Sequence, residues 1–331
     1  MRNRNLAIAL VSAAAAVAAS TLIAITPASA SANYYLATTE QVSNRVLVWN
    51  RNVSWTDANL YWQFTPGTTG GTWQNLSDVK IRATDAHGTI ALVAASGGKA
   101  AIVDVKAGKK KATTSDILWQ ATPGGNPHAI ERIPGNGSVV VASSNGYLTL
   151  YSPTAVSKPS TLAKVQTISL KGAHGVLYDP THKYLWAIGE GRLVPYSITG
   201  SGRSTRLTAR NGYISLGTYR NSAGETKPNL GHDLQASYTS KSTLFITHTS
   251  GVYSVDTWTF RTTKVSGTTR VKAYVNHSGG ERAWVRGDNT GRRTWGSPTV
   301  QFFNSAGTAT STKTRSGAEF YKVRVWSTAF E

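Results

Sequence analysis

The segment Trp62-Gln63-Phe64-Thr65-Pro66-Gly67 returns as Trp119-Gln120-Ala121-Thr122-Pro123-Gly124, and Ile168-Ser169-Leu170 returns as Ile214-Ser215-Leu216. Recurrence restricts this chain more than any other feature. A repeated unit buries its apolar face only against its neighbours, so the number of possible architectures is small. Each recurring segment reads as the last strand of a unit, followed by a loop into the next. The first strands of the following units then align at Asp78, His128, His174 and His232, with weaker fits at Lys272 and Lys322. The steps between these positions are 50, 46, 58, 40 and 50 residues.

Four short strands fit into each unit. In the third they are Ala129–Ile133, Ser138–Ser143, Gly146–Tyr151 and Val165–Leu170, with Pro134-Gly135-Asn136-Gly137 and Ser144-Asn145 as turns. Asn-Gly is a strong hairpin signal. The fourth unit repeats the plan with Gly175–Tyr178, Tyr184–Ile188, Leu193–Ser197 and Tyr213–Leu216. Helical periodicity is nearly absent. The pattern predicts an all-β chain, a six-bladed β-propeller. Its last blade is completed by Phe320–Trp326 joining Tyr34–Thr39, Arg45–Trp49 and Leu60–Phe64. Such pairing of the N- and C-terminal strands removes the open edges of the ring. Seven blades, a sandwich pair or a β-helix are the competing architectures.

The first 32 residues stand apart. Arg2 and Arg4 precede an apolar run from Leu6 to Ile25, followed by Thr26-Pro27-Ala28-Ser29-Ala30-Ser31-Ala32. This is the form of a secretory signal peptide, with a membrane anchor as the alternative. The expectation is a signal at 1–32, a single propeller domain at 33–331, and a secreted, monomeric protein without a later membrane span. Cysteine is absent, which excludes disulfides, thiol nucleophiles and cysteine metal sites. Loss of Arg2 and Arg4 leaves 33 basic against 16 acidic side chains, a formal charge of +17. That favours an anionic polysaccharide or cell-wall component as partner. The basic residues are scattered, and Lys109-Lys110-Lys111 reads as a turn tip. No recognition-helix or RNA-binding pattern points to nucleic acid.

The motifs PHAIERIPG, GAHGVLYDP, LGHDLQ and FYKVRVW resemble an uncharacterised family of secreted bacterial β-propellers. The resemblance spans nearly the whole chain beyond residue 32 and implies fold and export without an activity. A looser similarity, in style of site only, links the chain to metal-dependent propeller polysaccharide lyases of the oligogalacturonate lyase type. Those enzymes have seven blades and a histidine-plus-glutamine ligand set, so no catalytic residue carries over.

The first strand of each propeller blade lines the central channel. The aligned positions therefore put Asp78, His128, His174, His232, Lys272 and Lys322 in a ring at one mouth. The chain has only seven histidines, and three fall at equivalent positions. Three imidazoles with a carboxylate suit a divalent transition metal such as Mn or Zn, with His128, His174, His232 and Asp78 as ligands. Channel histidines bonded to water and backbone are the alternative. Lys272, Lys322, Tyr274 and His248 are candidate catalytic bases. Trp73, Tyr219, Arg220 and Lys227 from the longest inter-blade loops, with Glu190 and Arg286 from turns, are candidate substrate contacts. Trp55, Trp73 and Trp295 are loop tryptophans that could stack on sugar rings. His87, His182 and His277 are expected in solvated outer turns. Two functions follow: a lyase acting on uronate-containing glycans through a bound metal, or a non-catalytic binder of anionic sugars or wall polymers.

Overall fold

A computed structural model describes residues 33–67, 71–288 and 292–329. The expected signal peptide lies outside the described residues. Strands joined by turns and loops make up the fold, with only short 3-10 segments as helical structure among the described residues, and six blades form a β-propeller. Among the described residues no helix is long and apolar enough to cross a membrane.

Blade one joins the two ends of the chain. Its order from the channel outward is Phe320–Val325, Tyr35–Glu40, Arg45–Asn50 and Leu60–Thr65. Leu36 lies opposite Val325, and Thr39 opposite Lys322. Blade two is Leu76–Thr84, Gly88–Ala95, Lys99–Asp104 and Ile117–Ala121. Blade three is Pro127–Arg132, Val139–Ser143, Tyr147–Ser152 and Ala163–Ser169. Blade five runs Gly231–Ala236, Thr243–His248, Gly251–Asp256 and Thr262–Ser266. Blade six runs Val271–Asn276, Arg282–Arg286, Thr299–Phe303 and Ala309–Thr314.

Blade four departs from the sequence expectation in its outer strand. Gly175–Asp179, Tyr184–Ile188 and Arg192–Thr199 form as expected. The fourth strand is Arg206–Ala209, paired with Tyr196–Thr199, and Ile214–Ser215 pairs only with Arg192 and Leu193. The third strand is eight residues long, so two separate segments share its outer edge. The lysine run also differs. Lys111–Thr113 is a strand that pairs in parallel with Gln63–Thr65 and covers the outer edge of blade one.

The apolar core is a set of layers between blades. Leu36, Leu47, Val275, Phe302 and Phe320 fill the seam between blades one and six, with Trp49 and Trp55 stacked at 5.0 Å. Val46, Phe64, Val79, Ala91 and Val93 fill the seam between blades one and two. Strands buried on both faces need continuous apolar runs rather than alternation. Ile90–Ala95 is such a run, wholly buried.

Charged side chains fill the channel instead. Arg324 donates to Asp78 at 2.6 Å and to Asp233 at 2.8 Å, tying blade one to blades two and five. Lys80 bridges Asp78 at 2.6 Å and the carbonyl of Ile130 at 2.8 Å. Arg82 forms a forked pair with Glu131 of blade three at 2.8 and 2.6 Å. Lys322 bonds Asp233 at 3.0 Å and the carbonyls of Lys272 and His232. All seven side chains are buried. Burial alone would raise the Asp78 carboxyl, but Lys80 and Arg324 hold it at about 2.

Removing one partner of a buried network leaves the others charged and unpaired, which costs about 3–5 kcal/mol. Arg324→Met should therefore lower unfolding stability by about that amount, read from the urea midpoint. An unchanged midpoint would show that the network does not hold the ring.

Candidate functional site

One backbone device builds the channel mouth six times. The amide at the end of the second strand donates to the carbonyl just ahead of the inner strand. The pairs are Gln41 to Glu319, Ser96 to Asn75, Ser144 to Asn126, Glu190 to Lys171, Thr249 to Leu230 and Gly287 to Arg270. In four blades a left-handed residue turns the chain there: Asn75, Asn126, Gly172 and Arg270, with φ of 55°, 63°, 64° and 65°. The residue two positions later is then pushed out of the ladder, as in a β-bulge. In blade three Pro127 faces Ser143 and Ala129 faces Ala142, leaving His128 unpaired. His232 and Lys272 are left out in the same way, and His174 stands immediately before its strand.

The ring is therefore Ser77, His128, His174, His232, Lys272 and Tyr321. The sequence alignment slipped by one residue in two blades. Ser77, not Asp78, is bulged in blade two, and Tyr321, not Lys322, in blade one. Asp78 and Lys322 sit one step deeper, in the ion network beneath the mouth. Both oxygens of Asp78 are engaged by Lys80 and Arg324, so this carboxylate does not join the histidines as a ligand.

The mouth encloses a cavity of about 400 Å³ lined by His128, His174, His232, Lys272, Tyr321 and Trp295, with Gln41, Asn75, Ser96 and Asn126 at the rim. The ring centroids of His128 and His174 are 4.3 Å apart, and those of His174 and His232 are 6.1 Å apart. His128 Nδ1 lies 2.9 Å from the Asn126 carbonyl, and His174 Nδ1 lies 2.9 Å from the Gly172 carbonyl. A carbonyl only accepts, so each Nδ1 carries the proton and each Nε2 is left as an acceptor. Lys272 Nζ stands 3.3 Å from His232 Nε2.

Burial lowers the His128 imidazole to about 4, helped by the charges of Lys322 and Lys272. His174 is pushed well down by burial and by His128, and His232 by burial and by Lys272. Lys272 is lowered to about 8 by burial, then by Lys322 and Arg270. The mouth thus combines neutral imidazole acceptors with an ammonium that titrates near neutrality.

Several sequence candidates lie elsewhere. Tyr274 packs on Phe245 at 5.0 Å between blades five and six. His248 stacks on Tyr253 at 4.5 Å and accepts from the Ser250 amide, outside the cavity lining. Trp73 and Trp55 are buried. Of the three loop tryptophans only Trp295 reaches the mouth, 43% exposed and bonded through Nε1 to Gln41 at 3.0 Å. Tyr219, Arg220 and Lys227 form an exposed hairpin, Thr218–Arg220 with Thr226–Pro228, and do not line the cavity. Glu190 bonds Lys171 at 2.9 Å, and Arg286 donates to the Thr269 carbonyl in a separate groove on blade six. The outer-turn histidines are packed rather than solvated. His182 bonds Asp179 at 2.8 Å, His277 stacks on Tyr34 at 3.8 Å, and His87 Nε2 is buried.

Among the described residues no group of three or more His, Cys, Asp or Glu side chains is set to hold a metal ion. The Lys272 ammonium beside His232 Nε2 also opposes a cation there.

Residues 15–324 match the family of unknown function DUF6528. The chain belongs to this family. No curated protein matches. Among solved structures, a functionally unknown protein from Desulfotomaculum acetoxidans DSM 771 is similar at 12% identity and a TM-score of 0.52. The match covers 86% of this chain and 80% of that one. At that identity the likeness concerns the fold alone.

Imidazoles in the unfolded chain take up a proton near 6.5, whereas His128 and His248 in the fold do so near 4. Between those values the unfolded state binds more protons, so stability should fall as pH drops through that window. Urea titrations at descending pH should show this loss, at most about 2 kcal/mol per histidine by pH 5. A variant carrying His128→Gln and His174→Gln should lose less. A flat profile for the unsubstituted protein would contradict the neutral ring.

Proposed function

We propose that the protein is a binding protein for anionic carbohydrate, acting outside the cell, with the channel mouth as its site. One observation carries the reading: neutral Nε2 acceptors on His128 and His174 share a cavity with the Lys272 ammonium. A ligand for such a site needs hydroxyls that donate and an acidic group that accepts. Sugar acids have both. The acidic group would sit against Lys272, hydroxyls would meet the two imidazoles, and the Trp295 ring would provide a stacking face.

A second reading retains a transition metal. It is favoured by the fixed Nδ1–H bonds, which leave His128 and His174 in the tautomer that ligates through Nε2. It requires Lys272 to move away from His232. In a uronate lyase Lys272 would be the base, because it is the one candidate base that lines the cavity. Metal analysis of untagged protein and a screen of acidic glycans for unsaturated products address this reading.

Calorimetric titration with digalacturonate tests the first reading. Lys272→Gln should weaken binding about ten- to a hundredfold, the worth of a charge-assisted hydrogen bond. Cellobiose, a neutral disaccharide, should bind poorly. Equal affinity for both sugars, or an unaffected Lys272→Gln variant, would remove the proposal. Affinity should hold up to about pH 7 and decline above pH 8, because the anion needs Lys272 protonated and burial lowers this lysine to about 8.

A further inference from the structure

The lysine run that reads as a turn tip has a place in the fold which the channel mouth does not use. Inner strands begin at the mouth and end at the opposite face. Trp326 directly follows the end of the inner strand of blade one, and His87 lies in the first turn of blade two, so both belong to that opposite face. Between blades one and two a cavity of about 620 Å³ opens there. Tyr61, Trp62 and Trp326 line one side of it, and the loop from Lys106 to Lys110 lines the other.

The loop is held in place. Lys109 bonds both oxygens of buried Asp116 at 2.6 and 2.7 Å, and Lys106 lies 3.3 Å from the same carboxylate. The carbonyl of Lys110 accepts from the Gln63 amide at 2.9 Å, and Lys111 enters the parallel strand on blade one. The exposed Lys110 side chain has no ion-pair partner among the described residues. On the aromatic side, Trp326 lies 5.1 Å from Trp62 and 6.1 Å from Tyr61, ring to ring. Tyr61 is 45% exposed, and so offers a free face.

Two further observations mark the cavity as built for a ligand. The Trp62 side chain is 3% exposed and its Nε1 donor meets no acceptor among the described residues, while His87 Nε2 is likewise buried and unmatched there. Buried polar atoms are nearly always satisfied, so two unmatched ones among the residues lining one cavity are informative. Asp104 also lines the cavity. A carboxylate beside a lysine loop suits a molecule with hydroxyls to donate and an anionic group to accept, and repels one that presents only phosphates.

We infer that this cavity is a second binding site, taking an acidic saccharide whose ring stacks on Tyr61 and Trp326. Its acidic group faces Lys110, and its hydroxyls face Asp104. The site is independent of the channel mouth and shares no residue with it.

The test uses the full chain in a Lys272→Gln background, in which binding at the mouth is weakened. Titration with an unsaturated chondroitin sulfate disaccharide and with digalacturonate should still give saturable binding to this protein. Adding Tyr61→Ser should weaken it about five- to tenfold, and Lys110→Gln by a similar factor. Tyr61 is 45% exposed, and its ring packs on Tyr35 and Trp326, so its substitution should lower the unfolding midpoint slightly and leave the chain folded. Cellobiose should bind more weakly than either acidic sugar. The inference is overturned if neither acidic sugar binds in that background, or if both added substitutions leave affinity unchanged. It is also overturned if a single-stranded oligonucleotide displaces the sugar and binds more tightly. The mouth reading fails separately, when Lys272→Gln alone changes nothing.

Discussion

Arg324 is the residue on which the centre of the molecule turns. It stands on the strand that closes the ring and holds Asp78 and Asp233 from two other blades at once. An apolar plug of equal volume would bond no partner in particular, whereas a forked guanidinium fits its carboxylates in one rotation of the ring. Removing such charges from water is expensive, and these pairs need not add net stability. What they supply is register: blades one, two and five meet the axis at one height.

The mouth inherits its electrostatics from that network. Four cations, Lys80, Arg82, Lys322 and Arg324, face three carboxylates, Asp78, Glu131 and Asp233. The excess positive charge lies directly under the histidines. Lys322, lowered to about 8 by burial, also lowers the imidazoles above it. A site with neutral rings, an ammonium at its wall and a basic floor favours an anion. The same floor disfavours a divalent cation unless its ligand supplies further negative charge.

Blade number, closure and the ring of three histidines were legible in the sequence, because each rests on local signals: strand-length apolar runs, turn residues and recurrence. The register at the mouth was not. A bulge depends on which residue of the second strand pairs with the inner one, and that choice is long-range. Asp78 and Lys322 therefore exchanged places with Ser77 and Tyr321. Asn75 and Asn126 did carry a trace of the turn, since Asn tolerates the left-handed region, and both stand two residues ahead of a mouth position. Arg270 shows why this trace is unreliable, for it adopts the same conformation without being a residue type that announces it. Blade four differed for another reason: two short segments share one long third strand. Ile214-Ser215 pairs with Leu193 and Arg192 just as Ile168-Ser169 pairs with Leu148 and Tyr147, so recurrence placed that piece, whereas Arg206–Ala209 carried no matching signal.

Closure by Phe320–Val325 also sets an order of events. During synthesis the second, third and fourth strands of blade one emerge first, yet their channel-side neighbour emerges last. Until then Tyr35–Glu40 exposes an unpaired edge, and Asp78 and Asp233 lack their guanidinium. The ring can therefore close only after nearly the whole chain has been delivered. Contacts of such long sequence separation form slowly. The two ends of the chain therefore lock together last.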